Sequence, residues 1–234
     1  MELISNPDIW IAFLTLCALE IVLGIDNIIF ISIVTNRLPQ KQQDSARRLG
    51  LLLAMVMRIL LLFSLTQIMA LTGSLFTIFN NDISGRDLIL LLGGLFLLYK
   101  SVSEIHGKVT ESGKSKVKKP AARYWPTIFQ IILIDIIFSF DSVITAVGMV
   151  DHIEVMIAAV VFSVAVMMAA SGPISRFINR HPTVKVLALA FLMMIGVSLI
   201  AEGLDYHIPK GFIYFAMAFS ILVEFINIRI NATE

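Results

Sequence analysis

With 234 residues, 58% of them hydrophobic, and a mean hydropathy of +0.89, the chain is too apolar for a water-soluble globule, since such domains average about 45 to 50% apolar residues. A polytopic membrane protein in contact with the lipid bilayer is expected instead. The formal net charge of +1 hides a strong sidedness of the basic residues and says little about partners, and nucleic acid is not expected among them.

Apolar runs of spanning character follow one another along the chain: Trp10 to Val34, Leu49 to Leu71, Leu88 to Tyr99, Thr127 to Val150, Ile153 to Phe177, Val184 to Ala201 and Phe212 to Ile228. Most reach the roughly 20 residues a membrane helix needs. The third is shorter and contains Gly93 and Gly94. Met1 to Pro7 lacks a basic n-region and the first run is long and carries two acids, so it reads as a retained span and not a signal peptide. Cys17 is the only cysteine, which excludes an internal disulfide and a cysteine metal cluster. Between the second and third runs only Arg86 is basic; Arg37, Lys41, Arg47 and Arg48 follow the first, Lys108 to Arg123 follow the third, and Arg176, Arg180 and Lys185 close the fifth. Because positive charge collects on the cytoplasmic side, seven spans with the N-terminus outside and the C-terminus inside the cytoplasmic (inner) membrane are expected. Ser103 to Trp125 reads as a polar cytoplasmic linker, and Ser171-Gly172-Pro173 as a break or kink near the end of span five. Trp10, Tyr124 and Trp125 stand at span starts as interfacial anchors.

Four acids lie inside these apolar runs, in two matched pairs. The segment from Ala18 to Asn27 aligns without a gap on Leu133 to Ser142, which sets Glu20 against Asp135, Asp26 against Asp141 and Asn27 against Ser142. Ionised carboxylates in hydrocarbon persist where they pair, face a wet cavity or bind a cation. Three spans per copy would make the second copy enter from the opposite face, the inverted-repeat plan of many transporters. The expected fold is an all-α membrane bundle of seven spans: a single domain over 1–234 with repeat one at about 9–102, the linker at about 103–125, repeat two at about 126–203 and a seventh span at about 211–229. On a helix, residues seven apart share a stripe, so Glu20, Gly24 and Asn27 align, as do Asp135, Ser139 and Ser142. The small residue in each stripe lets helices approach or leaves room for water or an ion. Carboxylate, amide and hydroxyl oxygens are hard ligands, which makes Glu20, Asp26, Asn27, Asp135, Asp141 and Ser142 a candidate site for Mn²⁺, Ca²⁺ or Mg²⁺.

Arg58, deep in the second span, must pair, and these acids are its obvious partners. Lys100 and Glu104 have helical salt-bridge spacing and read as an interfacial pair, with a gate as the alternative. Glu202 reads as interfacial or as the counterpart of Glu104. Glu224 and Asn227 share one face of span seven, either buried against the bundle or exposed near the inner surface. The methionines inside the spans read as packing, although a thioether beside oxygen ligands would favour manganese.

Through Glu20-Ile-Val-Leu-Gly-Ile-Asp26-Asn27, Asp135-Ile-Ile-Phe-Ser-Phe-Asp141-Ser142 and Val223-Glu224-Phe225-Ile226-Asn227, the chain resembles the TerC family of integral membrane proteins over essentially its whole length. The resemblance implies a seven-span bundle in metal ion homeostasis, with manganese efflux as its activity and tellurite resistance as an older association, and the six residues above as the matching site. It also implies a short form without the cytoplasmic domains that longer relatives append. The leading expectation is a non-enzymatic exporter of a divalent cation, preferably manganese, with the ion as substrate and protons as a coupling ion. Two alternatives stand beside it: a non-transporting metal donor or scaffold docked on secretion machinery, and an intramembrane aspartyl enzyme using two neighbouring aspartates. A second copy of the chain or the secretion machinery are the protein partners considered.

Overall fold

A computed structural model describes residues 7–64, 73–78, 81–111, 122–147 and 152–231. Among them are seven helices: α1 (Pro7–Thr35), α2 (Gln40–Phe63), α3 (Gly85–Glu111), α4 (Tyr124–Val147), α5 (Ile153–Arg180), α6 (Pro182–Glu202) and α7 (Lys210–Asn231). The described part of each of the seven expected runs lies on its own helix, with 65–71 of the second and 148–150 of the fourth outside the described residues, since a chain in hydrocarbon must satisfy every backbone polar group within the segment. Five helices are apolar and long enough to cross a membrane. Of the others, α2 is diluted by Lys41, Asp44, Arg47, Arg48 and Arg58, and the apolar stretch of α4, Tyr124–Phe140, is shorter.

Several boundaries differ from expectation. The third span is not short: α3 covers 27 residues and takes in Ser103 to Glu111, the first part of the expected linker. The basic residues meant to sit in loops mostly ride on helices, with Lys41, Arg47 and Arg48 on α2 and Arg176 and Arg180 on α5. Helices overrun the hydrocarbon because an internally bonded backbone is as acceptable among headgroups as in lipid, and the charged side chains then occupy the interface. The helix α5 is not broken by Pro173 but runs through it to Arg180. One residue later Pro182 starts α6 at its first turn, where proline's missing N–H costs nothing.

A two-stranded antiparallel hairpin, β1 (Ser74–Ile78) and β2 (Asn81–Ser84), precedes α3 where a plain loop was expected. It hands over to α3 through a reciprocal cap. The Asp87 carboxylate accepts the Ser84 backbone N–H at 2.9 Å, and the Ser84 hydroxyl accepts the Asp87 N–H at 3.2 Å.

The chain divides into two compact units, Met1–Gly73 with Pro120–Arg176 and Ser74–Lys119 with Phe177–Glu234. The first holds α1, α2, α4 and nearly all of α5; the second holds the hairpin, α3, α6 and α7.

Within the first unit, contacts reveal helix direction. Along α1 and α5, Phe13 meets Phe162 with ring centroids 6.0 Å apart, the Ser163 hydroxyl donates to the Cys17 carbonyl at 3.4 Å, and Gly24 lies on Met167. Both numbers rise together, so the helices run parallel. The same holds for α2 and α4, where Ser45 bonds Tyr124 at 3.0 Å, Gly50 faces Ile131 and Arg58 meets Asp135. At one end, Leu38, Ala46 and Ile128 form a small core, and the Ala122 N–H donates to the Arg37 carbonyl at 3.1 Å.

In the second unit α3 and α6 are antiparallel, because Gly203 lies against Asp87 and Leu91 while Gly196 lies against Gly94 and Leu98. A methyl group at Gly94 would come within 2.6 Å of the Gly196 carbonyl oxygen, and one at Gly196 within 3.0 Å of the Gly94 carbonyl oxygen. Glycine at both positions lets the backbones touch.

Candidate functional site

Three helices of the first unit contribute to one buried polar cluster. The helix α1 supplies Glu20 and Asn27, α2 supplies Arg58, and α4 supplies Asp135 and Ser139, all buried. Arg58 is only 3% exposed, and its guanidinium is shared between two carboxylates. Nη1 donates to Glu20 Oε2, Nη2 to Asp135 Oδ1 at 2.8 Å, and Nε to Asp135 Oδ2 at 3.3 Å. A planar guanidinium can serve both acids because its five donors point in fixed, divergent directions. The pairing inferred for Arg58 is therefore present, and it joins one acid from each copy of the repeated motif.

Asp135 is bonded on both oxygens. Oδ1 also accepts Asn27 Nδ2 at 3.2 Å, and Oδ2 accepts the Ser139 hydroxyl at 3.1 Å. Four donors match the roughly four lone-pair positions of a carboxylate. In this state Asp135 has no oxygen lone pair to spare for a metal. Ser139, singled out as a small residue, works through its hydroxyl; spacing of four on one helix could have shown that.

Asn27 Oδ1 is the open group of the cluster: it is buried and has no hydrogen-bond partner. Leaving such an acceptor unpaired costs on the order of 1–3 kcal/mol unless something electropositive reaches it. The space beside Gly24 does not hold that something. A methyl group at Gly24 would run into the Met167 sulfur of α5, so the glycine admits a neighbouring helix and leaves no room there for water or an ion.

Asp26 and Asp141 stand on α1 and α4 one position before the stripes that carry this cluster, and Ser142 stands on the stripe of Asp135 and Ser139; the side chains of all three lie outside the described residues. Among the described residues, no three His, Cys, Asp or Glu side chains gather as a metal-binding group.

The remaining candidates belong to the second unit. Lys100 Nζ lies 3.6 Å from the buried Glu104 within α3. Glu202 is paired with Arg86 at 3.3 Å and with His207 at 3.3 Å. For Arg86 the sequence signals only sidedness, because a pair 116 positions apart has no local signature. Glu224 is half-buried and accepts the Thr183 hydroxyl of α6, whereas Asn227 is exposed.

The profile of the integral membrane protein TerC family matches residues 5–234. A UPF0053 protein of Haemophilus influenzae is 59% identical over 98% of both chains. The UPF0053 inner membrane protein YgdQ of Escherichia coli is 56% identical over 97% of this chain and 96% of its own. YoaE of Escherichia coli, another UPF0053 inner membrane protein, is 52% identical over 97% of this chain, which spans only 44% of YoaE. No solved structure matches the chain.

Proposed function

The chain belongs to the TerC family of integral membrane proteins, and from that premise we propose that it exports a divalent metal cation, manganese first among the candidates, across the inner membrane. The unpaired, buried Asn27 Oδ1 carries the proposal. It is a hard oxygen set between acids on two helices, and a divalent ion is the partner that satisfies it and reduces the negative charge around it.

Charge supports the same reading. Glu20, Asp26, Asp135 and Asp141 offer four carboxylates, against which Arg58 is the sole intramembrane guanidinium on these three helices. With Arg58 bridging Glu20 and Asp135, the site is held together without metal. A cation entering beside Asn27, with Asp26, Asp141 and Ser142 as neighbours, competes with Arg58 for the acids. Arg58 is then a built-in substitute cation that restores the empty site after release. Protons serve as the countertransported charge, and the reaction is transport, not catalysis.

The inverted repeat belongs to this reading. Glu20 to Asp135 and Asp26 to Asp141 are both 115 positions apart. An operation exchanging α1 with α4 and α2 with α5 turns the parallel pair α2/α4 into the parallel pair α5/α1. The reciprocal crossing of Gly94 and Gly196 supports taking α3 and α6 as the third pair in this exchange. An outside N-terminus follows from the basic residues near Arg37 and Arg180.

The test is cell-associated manganese in cells expressing wild type, Asp26→Asn or Asp141→Asn. Wild type is expected to lower manganese and both variants to lose that effect while still reaching the membrane. Variants as active as wild type would remove the site assignment.

A further inference from the structure

Away from the acidic cluster, the end of the first unit carrying the basic residues holds a second built arrangement of opposite sign. Arg47 of α2 is buried to about nine-tenths of its side chain. Its Nη1 donates to the Ser175 hydroxyl of α5 at 3.3 Å, its Nη2 reaches Asp44, and its Nε is buried with no partner. The helix α5 presents Gly172 beside it. The point where a Cβ would stand on Gly172 lies 3.5 Å from Arg176 Nη1 and 3.9 Å from Arg47 Nη2, so two guanidinium groups converge on one spot that carries no side chain. The spot is partly open, since Gly172 is only half-buried and Arg176 is exposed.

Two guanidinium groups this close repel each other unless an anion lies between them. Asp44 does not fill that place: its side chain is 76% exposed and water screens the pair. Two cations against one screened carboxylate leave the spot positive. The Ser175 hydroxyl, which accepts from Arg47, keeps its own hydrogen for a further acceptor. Planar guanidinium forks are suited to tetrahedral oxyanions, which they bind through paired N–H···O bonds.

We propose that Arg47, Arg176, Ser175 and the bare backbone at Gly172 form a phosphate-binding site, filled by the headgroup of an anionic phospholipid or by a soluble phosphate. Gly172 provides the room, Arg47 the fixed and Arg176 the adjustable donor, and Asp44 acts as the internal competitor that the ligand displaces. A phosphate held here ties α2 to α5, the helix that also carries Met167 against Gly24. The site is independent of which cation is transported.

The full-length protein, purified in a neutral detergent, tests this by native mass spectrometry with phosphatidylglycerol and phosphatidylcholine and by thermal denaturation with inorganic phosphate. Wild type and the exposed control Arg48→Gln are expected to retain phosphatidylglycerol over phosphatidylcholine or to be stabilised by phosphate. The first result identifies a lipid headgroup and the second a soluble anion. Arg176→Gln is expected to weaken whichever is bound about tenfold, the equivalent of one charge-assisted contact, and Asp44→Asn to strengthen it. Arg176 is exposed, so its loss does not threaten folding. Equal behaviour of wild type, Arg48→Gln and Arg176→Gln, or weaker binding by Asp44→Asn, would overturn the site.

Discussion

Arg58 is the residue on which the buried cluster turns. Its charge is taken up by Glu20 and Asp135 together, and removing one member of a buried ionic group strands the others without water. Arg58→Met is therefore expected to cost about 3–5 kcal/mol, read as a fall in the denaturation temperature of the purified protein; a variant as stable as wild type would show that the acids are hydrated. Ser139→Ala should be milder, at about 1 kcal/mol, since three donors to Asp135 remain. Both the need of Arg58 for a partner and the identity of the acids were legible in the sequence, because a lone arginine in an apolar run has few affordable states. That Asp135 would be saturated was not legible. Saturation depends on Asn27, 108 positions away, reaching the same oxygen as Arg58.

At the scale of elements, helix existence followed from apolarity and helix ends did not. The apolar runs mark where lipid requires an internally bonded backbone, but nothing requires the helix to stop where apolarity does, and α3 continues well past Tyr99 to Glu111. The hairpin before α3 leaves no signal in the sequence, because Ser74 to Ser84 has no clean alternation of apolar and polar residues. Two predictions belong here. Gly94→Leu is expected to separate α3 from α6, since its Cβ would meet the Gly196 backbone carbonyl, which cannot rotate away. The expected cost is about 1–3 kcal/mol, measured as loss of thermal stability; a variant as stable as wild type would show that the crossing is not close. Asp87→Ala removes the reciprocal cap and should cost about 0.5–2 kcal/mol, visible as earlier hydrogen exchange at the start of α3.

For the whole molecule, sidedness is the property open to a direct check. In a Cys17→Ser background, Tyr206→Cys is expected to react with an impermeant thiol reagent added outside intact cells, and Asn36→Cys only after permeabilisation. The reverse pattern would invert the topology. The exposed apolar residues include Leu14 on α1, Leu60 on α2, Leu92 on α3, Phe129 on α4 and Phe215 on α7, a surface suited to lipid tails. Because those tails are as apolar as leucine, burial of such side chains does not drive helix association, and the joints fall on small or polar residues: Gly24, Gly50, Gly94, Gly196 and the Arg58 cluster.

Membrane residence, the helices of the apolar runs among the described residues and the matched acids were determined by the sequence itself, since each arises from the local cost of placing a backbone or charge in hydrocarbon. Tertiary structure alone decided that Arg58 bridges Glu20 and Asp135, that Met167 fills the space at Gly24, that Asn27 Oδ1 stays open, and that Arg47 and Arg176 converge on Gly172. Each of these brings together atoms from helices far apart in the chain, where the outcome depends on how helices rotate and cross, and residue spacing within one helix carries no record of that.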